Sequence, residues 1–131
     1  MGYTTHVRGE FTIEPPLTWN EMKDSSFAPH NATSNYEPSL ILRVSETQVD
    51  TADGPLLRRT ASALAMREID EYRERGLVDE VQHAIDSFPG HTFTGRLECE
   101  GQENTDIWRV IVRNGRALRI EPRIVWPDEE A

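Results

Sequence analysis

The last third of the chain, from Phe93 to Trp126, reads FTGRLECEGQENTDIWRVIVRNGRALRIEPRIVW and carries the clearest strand pattern in the sequence. Apolar residues fall on alternate positions in three successive runs, which is the period of a half-buried β-strand. The stretch therefore predicts three strands joined by two turns, with one face in the core. The predicted core residues are Phe93, Leu97, Cys99, Trp108, Val110, Val112, Leu118, Ile120, Ile124 and Trp126.

The turn between the last two predicted strands, at residues 113–116, can be read in two ways. A two-residue Asn-Gly loop would set Val110 opposite Arg119, which places a charge on the core face. A three-residue loop, with Gly115 in the left-handed conformation, sets Val110 opposite Leu118 instead. We therefore predict the bulged three-residue hairpin. Its charged outer side would carry Arg109, Arg113, Arg119 and Arg123.

The opening of the chain, residues 3–14, alternates β-branched and aromatic residues with polar ones and predicts a first strand. Pro15 and Pro16 are expected to end this strand, because neither proline can donate to a ladder. Thr18 followed by Glu21 has the spacing of a capping box and predicts a short helix over residues 19–25.

The segment from 25 to 39 is rich in Ser, Asn and Pro and has no periodicity, which predicts a long loop. It is either a disordered surface excursion or a binding loop anchored by Phe27 and Tyr36. The sequence that follows predicts two strands joined by a turn at Asp53-Gly54. The return strand of this hairpin is expected to run to about Ala65.

Apolar residues recur at three- and four-residue steps between Leu77 and Phe88, which predicts an amphipathic helix that ends before Pro89-Gly90. The predicted element order is a strand, a short helix, two strands, a helix and three strands. It indicates a single α+β domain over residues 1–131 with an acidic tail at 127–131. We expect a mainly antiparallel sheet of five or six strands with both helices packed on it.

The charge balance limits the classes of partner, since 23 acidic against 14 basic residues give a formal net charge of −9. Affinity for nucleic acid comes mainly from clustered Lys and Arg, so we expect no nucleic-acid partner. There is no signal sequence and no run of about 18 apolar residues, so we expect a cytoplasmic protein with no membrane partner. Cys99 is the only cysteine, and its strand parity predicts a buried structural thiol.

The densest polar cluster is an acidic turn that contains Glu98, Glu100, Glu103 and Asp106. Carboxylates on one face of a strand could bind a hard cation or share a proton as an acid/base pair. The same residues are also typical of a solvated turn, and they lack the spacing of a calcium loop. In a purely structural interpretation, Asp106 and Glu103 fix the turn through backbone bonds while Arg109 pairs with Glu100 across the sheet.

No catalytic motif is present. The four histidines match no zinc pattern, and neither a nucleophile elbow nor a phosphate-binding loop occurs in the sequence. We therefore predict no catalytic residue, no metal site and no cofactor. Of the three tryptophans, Trp108 and Trp126 are predicted to lie in the core, and Trp19 is predicted to be exposed.

Short segments at both ends of the chain carry a family pattern. They are Gly2-Tyr3-Thr4-Thr5, Gly9-Glu10-Phe11, Ile13-Glu14-Pro15-Pro16-Leu17, Phe93-Thr94-Gly95, Glu100-Gly101-Gln102-Glu103, Asp106-Ile107-Trp108-Arg109-Val110 and Arg123-Ile124-Val125-Trp126-Pro127. These segments resemble a family of small actinobacterial proteins of unknown function, with looser relatives in bacteriophage genomes. The resemblance implies a compact cytoplasmic domain and transfers no reaction.

Our leading hypothesis is a non-enzymatic binding or regulatory module of phage or mobile-element origin. It would engage a protein partner through an arginine-bearing sheet face and the acidic turn. The competing hypothesis is a small enzyme, or a ligand- or metal-binding protein, that uses residues 98–106. A homodimer formed by sheet edges is compatible with either. The candidate binding residues are Glu98, Glu100, Glu103, Asp106, Arg109, Arg123 and Trp19.

Overall fold

The structure, a computed structural model, describes residues 3–31, 38–69, 72–103 and 105–129. Six strands form one antiparallel sheet in the order β2-β3-β1-β4-β5-β6. The predicted α+β class and antiparallel sheet are confirmed. The strands are β1 Thr5–Thr18, β2 Leu40–Thr51, β3 Gly54–Met66, β4 Thr92–Gly101, β5 Ile107–Arg113 and β6 Arg116–Ile120. The helices are α1 Trp19–Met22 and α2 Leu77–Ser87, with single 3-10 turns at Pro29–Asn31 and Pro127–Glu129.

Strand β1 lies in the middle of the sheet and pairs with β4 without a shift, from Thr5 opposite Gly101 to Glu14 opposite Thr92. The two backbones approach closely at Gly95, whose φ of +121° is one that side-chain-bearing residues rarely adopt. A Cβ atom at Gly95 would lie 2.5 Å from the carbonyl oxygen of Glu10. Glycine is therefore required here for the central pair of strands to meet.

The two prolines of β1 do not end the strand, and the prediction that they would was wrong. Pairing with β4 stops at Glu14, and pairing with β3 shifts between Thr12 and Leu17. Pro15 and Pro16 occupy this irregular interval, where no ladder bond requires an N–H. The extended chain therefore passes through the prolines and pairs again with β3.

Helix α2 covers one face of the sheet with Leu77, Val81 and Ala84, all of which are buried. These three residues share one face because they are spaced four and three residues apart. The Glu80 carboxylate accepts hydrogen bonds from the backbone amides of Ser39 at 2.9 Å and Leu40 at 3.0 Å. The helix is thus fastened to the start of β2 as well as packed on the core.

Helix α1 starts where the capping box predicts, because the Glu21 amide donates to Thr18 Oγ1 at 3.3 Å and Glu21 Oε1 accepts from the Thr18 amide at 3.0 Å. It ends at Met22 rather than at residue 25. Asn31 Nδ2 donates to the Lys23 carbonyl at 2.7 Å, so a side chain takes a carbonyl that a longer helix would use. Residues 32–37 of the predicted loop, with the proposed anchor Tyr36, lie outside the described residues, whereas Phe27 is buried.

The β5–β6 turn is the two-residue loop, and the predicted bulged hairpin was wrong. Asn114 and Gly115 both have positive φ, at 53° and 75°, as a two-residue hairpin turn with two left-handed positions requires. Val110 therefore stands opposite Arg119, on the core side of the sheet. The guanidinium carbon of Arg119 lies 4.1 Å from the centroid of the Trp108 ring. The positive charge of Arg119 is tolerated on this side because its guanidinium group covers the face of the Trp108 ring and remains in contact with water.

This register also changes which apolar residues are buried. Ala117 is the buried residue of β6, whereas Leu118 and Ile120 point to the other side of the sheet and are 38% and 37% exposed. Ile124 and Trp126, also predicted in the core, lie beyond the last strand and are 80% and 67% exposed. Trp108 and Cys99 are buried as predicted, and burial raises the pKa of the Cys99 thiol to about 12.

Replacing Arg119 by Ala should lower the free energy of unfolding by about 1 kcal/mol, because the substitution removes a cation–π contact and uncovers Trp108. The matched control is Arg116→Ala in the same strand, whose exposed side chain points to the opposite face and should change stability by less than about 0.5 kcal/mol. Urea unfolding followed by tryptophan fluorescence measures both. Equal effects of the two substitutions would contradict the two-residue register.

Candidate functional site

The face of the sheet opposite α2 carries a set of side chains that share one parity along β1, β4, β5 and β6, together with Arg43 of β2. We call this surface the open face. None of the elements in the described part of the chain packs over its β4–β6 half, where its side chains are mostly exposed. Its charged and aliphatic members are Arg8, Glu10, Glu14, Arg43, Arg96, Glu98, Glu100, Ile107, Arg109, Ile111, Arg113, Arg116, Leu118 and Ile120.

The centre of the open face is a group of three arginines around one glutamate, here termed the Glu98 cluster. The Glu98 carboxylate lies 3.8 Å from Arg8 Nη2, 3.3 Å from Arg96 Nη2 and 3.4 Å from Arg109 Nη2. Glu98 lies on β4, directly opposite Arg8 of β1 on one side and Arg109 of β5 on the other. Arg96 is two residues before Glu98 on the same strand. One carboxylate cannot neutralise three guanidinium groups, so the cluster keeps two positive charges.

These ion pairs contribute little to stability. The side chains of Arg8, Arg96 and Arg109 are between 48% and 72% exposed, and exposed pairs are typically worth about 0–1 kcal/mol each. The cluster holds its guanidinium groups in place on a firm sheet, where planar, bidentate contacts to a carboxylate are available. Its arrangement is therefore suited to recognition of an acidic surface.

The acidic turn after β4 is held by Tyr3 at the start of the described chain. The Tyr3 hydroxyl donates to Asp106 Oδ2 at 2.5 Å and accepts from the Glu103 amide at 3.1 Å. The hydrogen bond to the Asp106 carboxylate raises the pKa of Tyr3. Gly101 has no room for a Cβ atom, which would collide with Tyr3 and Asp106. These contacts agree with the structural interpretation of Asp106 and of the Glu103 backbone.

The predicted site residues fall in four places. Glu98, Glu100 and Arg109 share the open face, but Arg109 pairs with Glu98 and not with Glu100 as expected. Glu103 and Asp106 belong to the acidic turn. Arg123 is exposed in the segment after β6.

Trp19 lies in α1, where its ring centroid is 5.0 Å from that of His30 and 5.3 Å from the Arg59 guanidinium carbon. It borders a cleft of about 600 Å³ between α1 and the β2–β3 hairpin. Trp19 is half-buried rather than fully exposed. Because α1 packs against β1 and β3, Trp19 does not join the Glu98 cluster or the acidic turn.

Sequence reasoning missed Arg8, Arg96 and His91. Arg96 could have been found, because residues two apart on a strand share a face with Glu98. Arg8 reaches Glu98 only through the register of β1 with β4, and no local signal contains that register. His91 is similarly placed by contacts with distant residues.

The side chain of His91 is only 7% exposed and links three segments. Its Nε2 lies 2.6 Å from Glu21 Oε2 in α1, and its Nδ1 lies 2.5 Å from the Pro15 carbonyl oxygen in β1. Burial acts to lower the pKa of His91, but the bonds to Glu21 and Pro15 outweigh it and raise the pKa. The Thr18 amide and His91 lower the pKa of Glu21. The charged pair is therefore favoured in the folded state.

Replacing His91 by Gln should destabilise the protein most between about pH 4.5 and pH 6.5. The His91 contribution is complete below the ordinary pKa of 6.5 and is lost as pH rises through the higher folded value. The Glu21 contribution is complete above 4.5 and is lost as pH falls through the lower folded value. Urea unfolding should show a loss of about 1 kcal/mol at pH 5.5 and less at pH 8.5. The control is His83→Gln, at an exposed position on α2, and a pH-independent loss for His91→Gln would contradict the ion pair.

Two of the candidate carboxylates, those of Glu98 and Asp106, have other partners. Within the ranges the structure describes, no three His, Cys, Asp or Glu side chains are placed to hold a metal ion. Glu98 is surrounded by arginines and Asp106 accepts from Tyr3. We expect thermal melts with Mg²⁺, Mn²⁺ or Ca²⁺ at about 1 mM to show no rise in Tm, since only an ion that binds the folded state would raise it. A rise that Glu103→Gln abolishes would contradict this.

Fold and site together define a class: a small α+β domain whose single antiparallel sheet is covered by helices on one face and presents a charged, arginine-rich surface on the other. The chain belongs to the family described as "Family of unknown function (DUF6205)", which it matches over residues 1–131. No curated protein and no solved structure matches the chain. No helix in the described ranges is long and apolar enough to cross a membrane.

Proposed function

We propose that this protein is a non-enzymatic binding module that engages an acidic surface of another protein through its open face. The observation that carries the proposal is the distribution of charge. The open face holds six of the chain's 14 basic residues but only four of its 23 acidic residues. The rest of the chain then has eight basic and 19 acidic residues, so the open face is a positive surface on a negative protein.

The composition of the open face favours a protein partner over a nucleic acid. Arginine and apolar side chains are enriched at protein interfaces, where arginine forms forked hydrogen bonds to carboxylates. The open face as described has no Phe, Tyr or Trp on which bases could stack. Its aliphatic residues Ile107, Ile111, Leu118 and Ile120 lie beside the Glu98 cluster, and this combination of apolar and charged groups suits a protein surface.

A regulatory role, a phage or mobile-element origin and a cytoplasmic location belong to this proposal and stay predictions. The competing function, an enzyme or ligand-binding protein that uses residues 98–106, has less support from the geometry. Asp106 is engaged with Tyr3 and Glu98 with arginines, so neither is poised as a free general base. We therefore give the open face, with Glu98, Glu100 and Arg109, the binding role.

The test uses three immobilised proteins: the wild type, the open-face variant Arg8→Glu/Arg96→Glu, and the control Arg73→Glu/Arg75→Glu. The two variants have the same net charge, but Arg73 and Arg75 are exposed in the segment before α2, outside the sheet. A lysate of the organism from which the gene comes is passed over each. We expect a protein with an acidic surface to be retained by the wild type and the control, lost from the open-face variant, and released by about 0.5 M salt because screening is strong at that ionic strength.

A photoreactive residue at Thr94, on the same face of β4, should cross-link to the retained protein. Recovery of the same proteins by all three columns, or cross-links only from a residue placed on α2, would overturn the proposed function.

A further inference from the structure

The segment after β6 exposes three large apolar side chains in succession. Ile124 is 80%, Val125 43% and Trp126 67% exposed, although residues 121–126 form neither helix nor strand. We call residues 123–128 the C-terminal segment. A tryptophan flanked by two aliphatic residues and left in water is typical of a surface that meets a partner.

The open face has a matching apolar surface at its edge, the aliphatic strip of Ile107, Ile111, Leu118 and Ile120. Ile107 is 45% exposed, and Leu118 and Ile120 have more than a third of their surface in water. The register places Ile111 directly opposite Leu118, and Ile120 is the next residue of β6 on the same face. These three residues adjoin one another, whereas Arg109 lies between them and Ile107. One chain thus carries both an unpartnered apolar segment and an unpartnered apolar strip.

We propose that two copies of this chain form a symmetric dimer in which the C-terminal segment of each copy lies along the aliphatic strip of the other. A two-fold dimer presents the same patch from both subunits, so one contact of this kind would be made twice. The dimer goes beyond the proposed function and shares the open face with it. It uses the aliphatic strip with Arg113 and Arg116, and it leaves the Glu98 cluster for the acidic partner.

The distribution of charge supports a second copy of the chain as the partner and indicates the direction in which its C-terminal segment lies. Along β5, Arg113 follows Ile111 on the same face and stands opposite Arg116. Arg113 and Arg116 form no ion pair with the residues that the structure describes. In the C-terminal segment the apolar residues come first and Asp128 follows.

The 3-10 turn at Pro127–Glu129 follows the apolar run and carries Asp128. A segment that runs in the same direction as β5 would place its apolar residues on the strip and Asp128 near Arg113 and Arg116.

The segment is better placed to reach a second copy than its own strip. Only Glu121 and Pro122 separate it from the end of β6, and the structure shows no turn there. A residue that precedes proline is biased toward extended backbone, which applies to Glu121 and to Trp126 before Pro127. Ile124 and Trp126 are 80% and 67% exposed, so they do not cover the strip of their own chain.

Pairing of two β6 edges is a weaker alternative, because the edge is already occupied in part. Gln82 of α2 accepts from the Ala117 amide at 2.7 Å and donates to the Gly115 carbonyl at 3.2 Å. A β6–β6 ladder would have to displace that side chain. The proposed dimer, in which the C-terminal segment of each copy lies on the other copy, leaves Gln82 in place.

Sedimentation equilibrium measures the dimer directly. The wild type should have twice the monomer mass, and Ile124→Ser/Trp126→Ser should dimerise at least about 30-fold more weakly, as expected for loss of a central aromatic anchor. The control is Leu56→Ser/Leu57→Ser, which removes two exposed aliphatic residues from the β2–β3 hairpin and should stay dimeric. Both pairs are exposed, so circular dichroism should show that all variants are folded.

Charge reversal tests the direction of the segment. Arg116→Glu and Asp128→Arg should each weaken the dimer, and the two changes together should restore part of the lost affinity. A wild type that is monomeric at about 1 mM, far above the Kd of specific complexes, would overturn the proposal. A dimer that survives Ile124→Ser/Trp126→Ser would overturn it too. Arg8→Glu/Arg96→Glu should remain dimeric, so the dimer and the binding of an acidic partner can fail separately.

Discussion

The pairing of β1 with β4 is the contact on which the rest of the molecule depends. It joins residues about 90 positions apart in one uninterrupted register and puts β1 at the centre of the sheet. Three contacts depend on this pair of strands: Arg8 with Glu98, Tyr3 with the acidic turn, and His91 with the Pro15 carbonyl. Because the closure of a long loop costs entropy before its contacts form, this register must be stabilised by many contacts at once.

The two faces of the sheet have different roles, because only one of them is covered by α2. The face under α2 holds the apolar core, including Phe11, Leu97 and Val110, and supplies the stability. The open face adds little stability, since its ion pairs are exposed. Its residues can therefore change without unfolding the protein, and the uneven distribution of arginine and glutamate between this face and the rest of the chain is the feature that points to a partner.

Local sequence patterns predicted the parts of the fold whose cause is local. The spacing of the apolar residues from Val78 to Phe88 predicts α2. The Asp53-Gly54 turn predicts the β2–β3 hairpin, and the capping box predicts the first residue of α1. The β5–β6 register was predicted wrongly because charge on the core face was treated as forbidden. Arg119 is allowed there, since a guanidinium group can cover the face of Trp108. The exposure of Trp126 was missed for a related reason: strand parity gives the side on which a residue points but not whether the strand continues.

The β2–β3 hairpin divides the molecule mechanically. Its pairing with β1 ends at Thr18 opposite Thr60, and from Glu46 opposite Arg59 to Thr51 opposite Gly54 the two strands pair only with each other. A ribbon of two strands with no third neighbour is marginally stable in water. We expect this two-stranded arm to open more readily than the strands around β1, so its amide hydrogens should exchange with solvent faster than those of β1. The sheet therefore has a firmly paired centre and a less stable two-stranded end.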